Sequence, residues 1–323
     1  MRPALSVILL TTLIGVGQGL FAALYTVQVF DRIGLIHGPT STVFYPLGCA
    51  IALAFLTVGL GASFFHLGRP ERAWRAVVMW RTSWLSREVI VLPAFMCCVF
   101  LYGIGHYLGW TQVPILAGLD GTLIIGAVGT VLCAFLFLCT GMIYACLKFL
   151  QEWHTPLTVI NYLLFGSASG LMLATAYAAV VAPGLVRFLA VWAVGFTLAA
   201  LLGRSASLIR NARLKPRSSL QTAIGVKHPR IVQSSQGFMG GSFNTREFFH
   251  GMSSAWMRSV KWMFLLAVFP IPLALLAAGL VGGVFPALLA AAFLVQYAGL
   301  LAERWFFFAQ ANHPQNLYYQ RIS

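Results

Sequence analysis

Apolar runs about twenty residues long recur along this chain, each closed by a short polar or Gly- and Pro-containing stretch. A helix of that length spans a bilayer core of about 30 Å. Eight such runs are read: Leu5–Phe30, Val43–Phe65, Glu88–Leu108, Leu116–Leu147, Leu157–Val181, Leu185–Leu202, Val260–Val281 and Phe285–Phe308. The fourth is overlong, which predicts tilt or an extension past the membrane. The sixth is short. Pro93, Pro270 and Pro272 lie inside runs and can kink them. The predicted fold is therefore all-α: a polytopic integral membrane protein of eight transmembrane helices, one domain over residues 1–323, with no soluble domain. The first run is too long for a signal peptide and has no small-residue cleavage site after it, so it is read as the first span.

Composition agrees. Hydrophobic residues make up 59% of the chain and charged ones 9%, with a mean hydropathy of +0.85. No water-soluble core requires that ratio. A net charge of +14 would suggest nucleic acid elsewhere. Here the basic residues fall between spans without any nucleic-acid-binding motif, so no such partner is expected. They report topology instead. An even number of spans puts both termini on one side, with loops 2–3, 4–5 and 6–7. Of the 21 Lys and Arg, only Arg32 and Arg187 fall on the other side. Positive charge collects in the cytoplasm, so the termini and these loops are expected there.

Two cofactor types are tested by position. The six cysteines all lie inside apolar runs with no CxxC spacing, which predicts small buried residues rather than cluster or metal ligands. The seven histidines sit in loops or at span ends. A bis-histidine haem needs two at matched depth on facing helices, so neither haem nor an iron–sulfur cluster is expected in this chain.

Two loops remain. Residues 66–87 are predicted to be an interfacial loop or helix, with Trp74, Val77, Val78 and Trp84 near one face. Residues 203–259 form the one long aqueous stretch, rich in Gly and Ser. Phe238, Phe243, Phe248 and Phe249 would be apolar area left in water there, so it is predicted to be a partner-docking loop. Arg75, Arg81, Phe243, Arg246 and Phe248 are the expected contacts. The segment from Phe64 to Val89 carries one His, five Arg, two Glu and three Trp in a chain nearly free of charge. His66 ends the second run and Glu88 begins the third, so both should lie at the same depth. A neutral imidazole can bond a carbonyl or take a proton, and Arg69 and Arg72 can stabilise negative charge as it develops. That combination suits a lipid-soluble quinone. Gln18, costly in lipid unless it faces the bundle, and Tyr144 are further candidates.

The block His66-Leu67-Gly68-x-Pro70-x-Arg72-Ala73, followed by Ser83-x-Leu85-Ser86-x-Glu88, resembles the membrane-anchor subunit of dimethyl sulfoxide reductase; Gly17-Gln18 is similar too. The resemblance implies a quinone site (ubiquinone or menaquinone) at His66 and Glu88, with Gly68, Arg72 and Gln18 as extensions. It implies partners: an iron–sulfur subunit and a molybdopterin catalytic subunit at a bacterial inner membrane. It implies no catalytic residue or metal in this chain. Within the family, the long loop 6–7 and the cytoplasmic site are more similar to the anchor of a sulfite-oxidising enzyme. A quinol-oxidising anchor of a dimethyl sulfoxide or related reductase is the alternative. A transporter or a purely structural tether would also fit the spans alone.

Overall fold

In the computed structural model, eight helical spans among the described residues are long and apolar enough to cross a membrane. The structure describes residues 1–110, 114–116, 119–232 and 248–318. The helices are α1 (Leu5–Arg32), α2 (Phe44–Ser63), α3 (Trp84–Tyr107), α4 (Gly121–Ala145), α5 (Pro156–Val181) and α6 (Val186–Ala212). A seventh span follows in two pieces, α7 (Ser254–Val268) and α8 (Pro270–Ala278), and then α9 (Pro286–Ala309). Several start at a side-chain cap: Ser83, Asp120, Thr155 and Ser253 each accept from a backbone N–H of the first turn. Such caps satisfy donors that a helix cannot bond internally.

The order of the layers follows from small residues. α1 and α5 are the central pair: 72% and 78% of their spans are buried, against 33% to 44% for the others. Gly15 and Gly19 on α1 face Gly166 and Gly170 on α5, two GxxxG patterns back to back. A Cβ on Gly15 would stand 3.3 Å from the Gly166 Cα, and Gly19 and Gly170 are closer still to the opposing backbone. Between lipid-embedded helices there is no hydrophobic drive, so close backbone approach supplies the packing energy. On its other face Gly17 meets Leu56 and Ala52 of α2.

Three span boundaries depart from expectation, each for a local reason. The fourth span is not overlong. Asp120 caps it, with its Oδ1 accepting from the Leu123 N–H at 2.8 Å, and a short antiparallel pairing of β1 (Pro114–Leu116) with β2 (Leu119–Asp120) precedes it. The sixth is not short. It runs through Arg204 and Ser207, which are buried at 2% and 5% exposure. The seventh breaks at Phe269, because Pro270 and Pro272 lack N–H donors and clash with the preceding turn. The Val268 carbonyl freed by Pro272 finds the Gln296 side-chain amide of α9 at 3.3 Å.

At the end of the bundle bearing the basic loops, the N-terminus meets the segment that follows α9. The Met1 amine donates to the carbonyl oxygen of Ala311 at 2.9 Å. Loop 2–3 leaves α2 as a single 3₁₀ turn (Phe64–His66) and then forms a longer 3₁₀ helix (Pro70–Met79) with no buried residue. Its rings carry guanidiniums: Arg75 lies over Trp74 at 5.5 Å, Arg81 over Trp80 at 5.3 Å and Arg87 over Trp84 at 4.2 Å.

Candidate functional site

The block that opens α3 folds as a capped helix start. Ser83 caps it, accepting from the Ser86 N–H at 3.4 Å, and one turn later Glu88 points into the bundle. Glu88 is 8% exposed, and its Oε1 accepts a short hydrogen bond from the Thr140 hydroxyl of α4. A carboxyl inside a helical bundle is expensive and marks chemistry by default. Gln18 of α1 lines the same small cavity, which has room for about one water, together with Thr11, Thr12, Thr140, Tyr162 and Arg304. The Gln18 amide also donates to the Cys133 carbonyl at 3.0 Å, tying α1 to α4.

His66 is placed differently. It is exposed, on a rim with Phe64, Phe65 and Leu67, which are 47%, 89% and 37% exposed. Nothing stands within 4 Å of where a Gly68 side chain would begin. Arg69, Arg72, Arg75 and Arg81 are exposed too; Arg72 pairs loosely with Glu71 at 3.9 Å. So the structure gives the two groups different settings: an open apolar rim carries His66 and guanidiniums, and the bundle encloses the acid. The guanidinium that lines the acid's cavity is Arg304 of α9, not one from loop 2–3.

Arg304 belongs to a buried triad. Its Nε lies 2.8 Å from Glu303 Oε2, and Arg204 Nε of α6 lies 2.9 Å from Glu303 Oε1. The neighbouring pair Glu303–Arg304 is thus joined by Arg204, which the hydropathy pattern places in a loop. Tyr162 sits under the Arg304 guanidinium at 4.0 Å, and Tyr144 stacks on Tyr162 with centroids 5.6 Å apart. Tyr144 therefore packs behind the cavity. Sequence reasoning missed Thr140, Tyr162 and Arg204. The available signal was a charge two residues past an apolar run on a helix that could simply continue.

In loop 6–7, Phe243 and Arg246 lie outside the described residues. Phe248 is 9% exposed, stacked on His313 at 3.8 Å, and its carbonyl accepts from Asn316 at 3.2 Å, so its ring is covered by this chain. His313, just past α9, has its pKa lowered by partial burial and then by the nearby chain-terminal amine. Among the described residues no group of three His, Cys, Asp or Glu could hold a metal ion.

Eight spans, with an enclosed carboxyl and an exposed imidazole both at the end bearing the basic loops, define a multi-pass membrane protein with one chemically equipped face. The chain belongs to the DMSO reductase anchor subunit (DmsC) family, whose model matches residues 3–309. It is also similar to a subunit of the sulfite dehydrogenase of Allochromatium vinosum, at 55% identity over 100% of both chains.

Proposed function

We propose that this chain is the quinone-reactive anchor of a molybdopterin and iron–sulfur oxidoreductase. It exchanges electrons and protons between ubiquinone or menaquinone in the membrane and an iron–sulfur partner, which serves a molybdopterin catalytic subunit. The name of its relative favours a quinone-linked sulfite dehydrogenase over a quinol-oxidising reductase. The observation that carries the reading is Glu88: a carboxyl enclosed in the bundle, held by Thr140 and facing a small cavity at the basic end that Gln18 and Arg304 also line.

The fit of a quinone sets where it docks. The cavity at Glu88 takes a water, not a ring. The rim of Phe64, Phe65, His66 and Leu67 is open and apolar, so a lipid-borne ring would rest there, with space left by Gly68. Bound quinone supplies two-electron, two-proton redox chemistry. His66 bonds a carbonyl oxygen on that rim and gives or takes its proton. Arg69 and Arg72 add positive charge where negative charge develops. Glu88, with Gln18 beside it, holds a proton inside and passes it on. The exposed Arg75 and Arg81, with Phe243 and Arg246 of the long loop, form the docking face. By the charge asymmetry this face is cytoplasmic, in a bacterial inner membrane.

Replacing His66 with Ala should leave the complex assembled and lower quinone-dependent turnover about 10²- to 10⁴-fold. Unchanged turnover in an assembled complex would remove the reading.

A further inference from the structure

The cavity at Glu88 has a neighbour. Arg304 lines it and also lines a second cavity of about the same size, together with Glu152, Asn161, Arg204, Ser207 and Glu303. Each measures about 10 Å³, room for one water. Three side-chain atoms of the second cavity's lining are enclosed and find no protein partner: Arg204 Nη2, Arg304 Nη1 and Asn161 Oδ1. Their residues are 2%, 3% and 5% exposed. A buried polar atom left unbonded costs about 1–3 kcal/mol, more for a charged group. A water with two or three such partners removes that cost. Glu152, which also lines this second cavity, is only half-buried and accepts from the exposed Asn312 amide at 3.2 Å.

Toward the other end of the bundle the adjoining space, which shares Phe165 and Leu300 with the first cavity and is lined by Ser169, Thr197 and Gln296, is too small for a water, and the route stops. Between Gln18 and Glu88 on one side and Gln28 and Tyr102 on the other come Leu20, Phe21, Leu24, Phe95, Val99 and Leu136. All are at most 1% exposed, with Phe21 and Phe95 edge to face at 5.3 Å. A close-packed apolar layer stays dry.

We propose that these two cavities, joined at Arg304, form a proton path between Glu88 and the aqueous surface at Glu152, closed toward the opposite end of the bundle. This deepens the quinone reading and rests on it for its use. When Glu88 gives up its proton, its O–H bond breaks and one forms on the first water. That water releases another of its protons past the Arg304–Glu303 pair to the second water, which passes one to Glu152. One proton leaves Glu88, one reaches the surface, and each water is restored. Midway along the route two guanidiniums, Arg204 and Arg304, flank one carboxylate, Glu303, while the second carboxylate, Glu152, lies at the surface end. A hydronium is therefore disfavoured midway, and the proton is held at Glu88 or at Glu152.

Radiolytic labelling of the intact complex in ¹⁸O water tests the path without relying on turnover. Oxygen should appear on Tyr162 and Phe307, which line the first and second cavities, and not on Phe21 or Phe95. Ser207→Leu, which fills the second cavity, should suppress the Phe307 label and lower kcat about tenfold with KM unchanged. Glu152→Gln, at the half-buried mouth where folding is not at risk, should lower kcat about threefold. Absence of label on Tyr162 and Phe307 overturns the path, as does wild-type kcat in both variants. Label on Phe21 or Phe95 overturns the closure. A wild-type complex with no quinone turnover would instead sink the quinone reading, and the labelling would still judge the path.

Discussion

Both ends of this bundle bury polar groups, more of them at the basic end, and use them in opposite ways. At the end away from the basic loops, Tyr102 donates to Gln28 at 2.9 Å, Gln28 to Thr122 at 2.6 Å, and Thr122 to the capping carboxylate Asp120 at 2.7 Å. Each link is a neutral donor spent on a neighbouring side chain, and α1, α3 and α4 are tied together by the result. At the basic end the groups are charged and outnumber their partners. Glu303 is shared by two guanidiniums, and donors remain that face water-sized cavities. Neutral groups chained side chain to side chain fasten helices; charged ones that face a cavity leave room for water. Atoms without a partner occur at both ends, Tyr45 Oη and His106 Nε2 among them, so neither polarity nor an unfilled valence by itself marks a working site. Buried charge facing a cavity sets the basic end apart.

The sharpest way to break this contrast is Glu88→Gln, which keeps shape and the Thr140 contact but cannot carry a proton. Quinone-dependent turnover of the assembled complex should fall about 10²- to 10⁴-fold. If it does not, the basic end is only a second fastening and the comparison fails.

Next in size is Glu303→Gln. It leaves Arg204 and Arg304 buried at 2% and 3% exposure without a counter-charge. Removing one partner of a buried ion pair costs about 3–5 kcal/mol, so the unfolding midpoint in detergent should drop steeply. Replacing Arg204 with Met in the same chain should recover much of that loss, since one Arg then remains without the repulsion of a second. A midpoint that stays put would mean that water already reaches the triad freely.

Much of this was legible beforehand, for reasons that can be named. The eight spans follow from apolar runs alone, because lipid forces every backbone group into helix. His66 and Glu88 stood out because charge is scarce in this chain. What the pattern hid was geometry between spans. Arg204 reads as a loop residue by hydropathy, yet Val186–Ala212 continues unbroken and delivers it to Glu303 of α9. Thr140 looks like any small residue in an apolar run until the antiparallel course of α4 lays it against Glu88. The repeats Gly15–Gly19 and Gly166–Gly170 were visible as sequence, but their pairing is a fact of the fold. Loop arginines near Glu88 in sequence end exposed, because the 3₁₀ helix of loop 2–3 lies outside the bundle.

The smallest expected effect sharpens the other side of the contrast. Tyr102→Phe removes one hydroxyl from the relay, leaving the ring in place against Phe21 at 5.4 Å. Its partner, Gln28 Oε1, would lose that donor. Side-chain hydrogen bonds between membrane helices average only about 0.6 kcal/mol, because the separated helices find other partners. The variant should therefore shift the unfolding midpoint slightly and leave quinone-dependent turnover as it was, since the dry layer around Phe21 and Phe95 isolates this end from Glu88. A turnover defect comparable to that of Glu88→Gln would show that the layer does not insulate, and that the two ends work as one site.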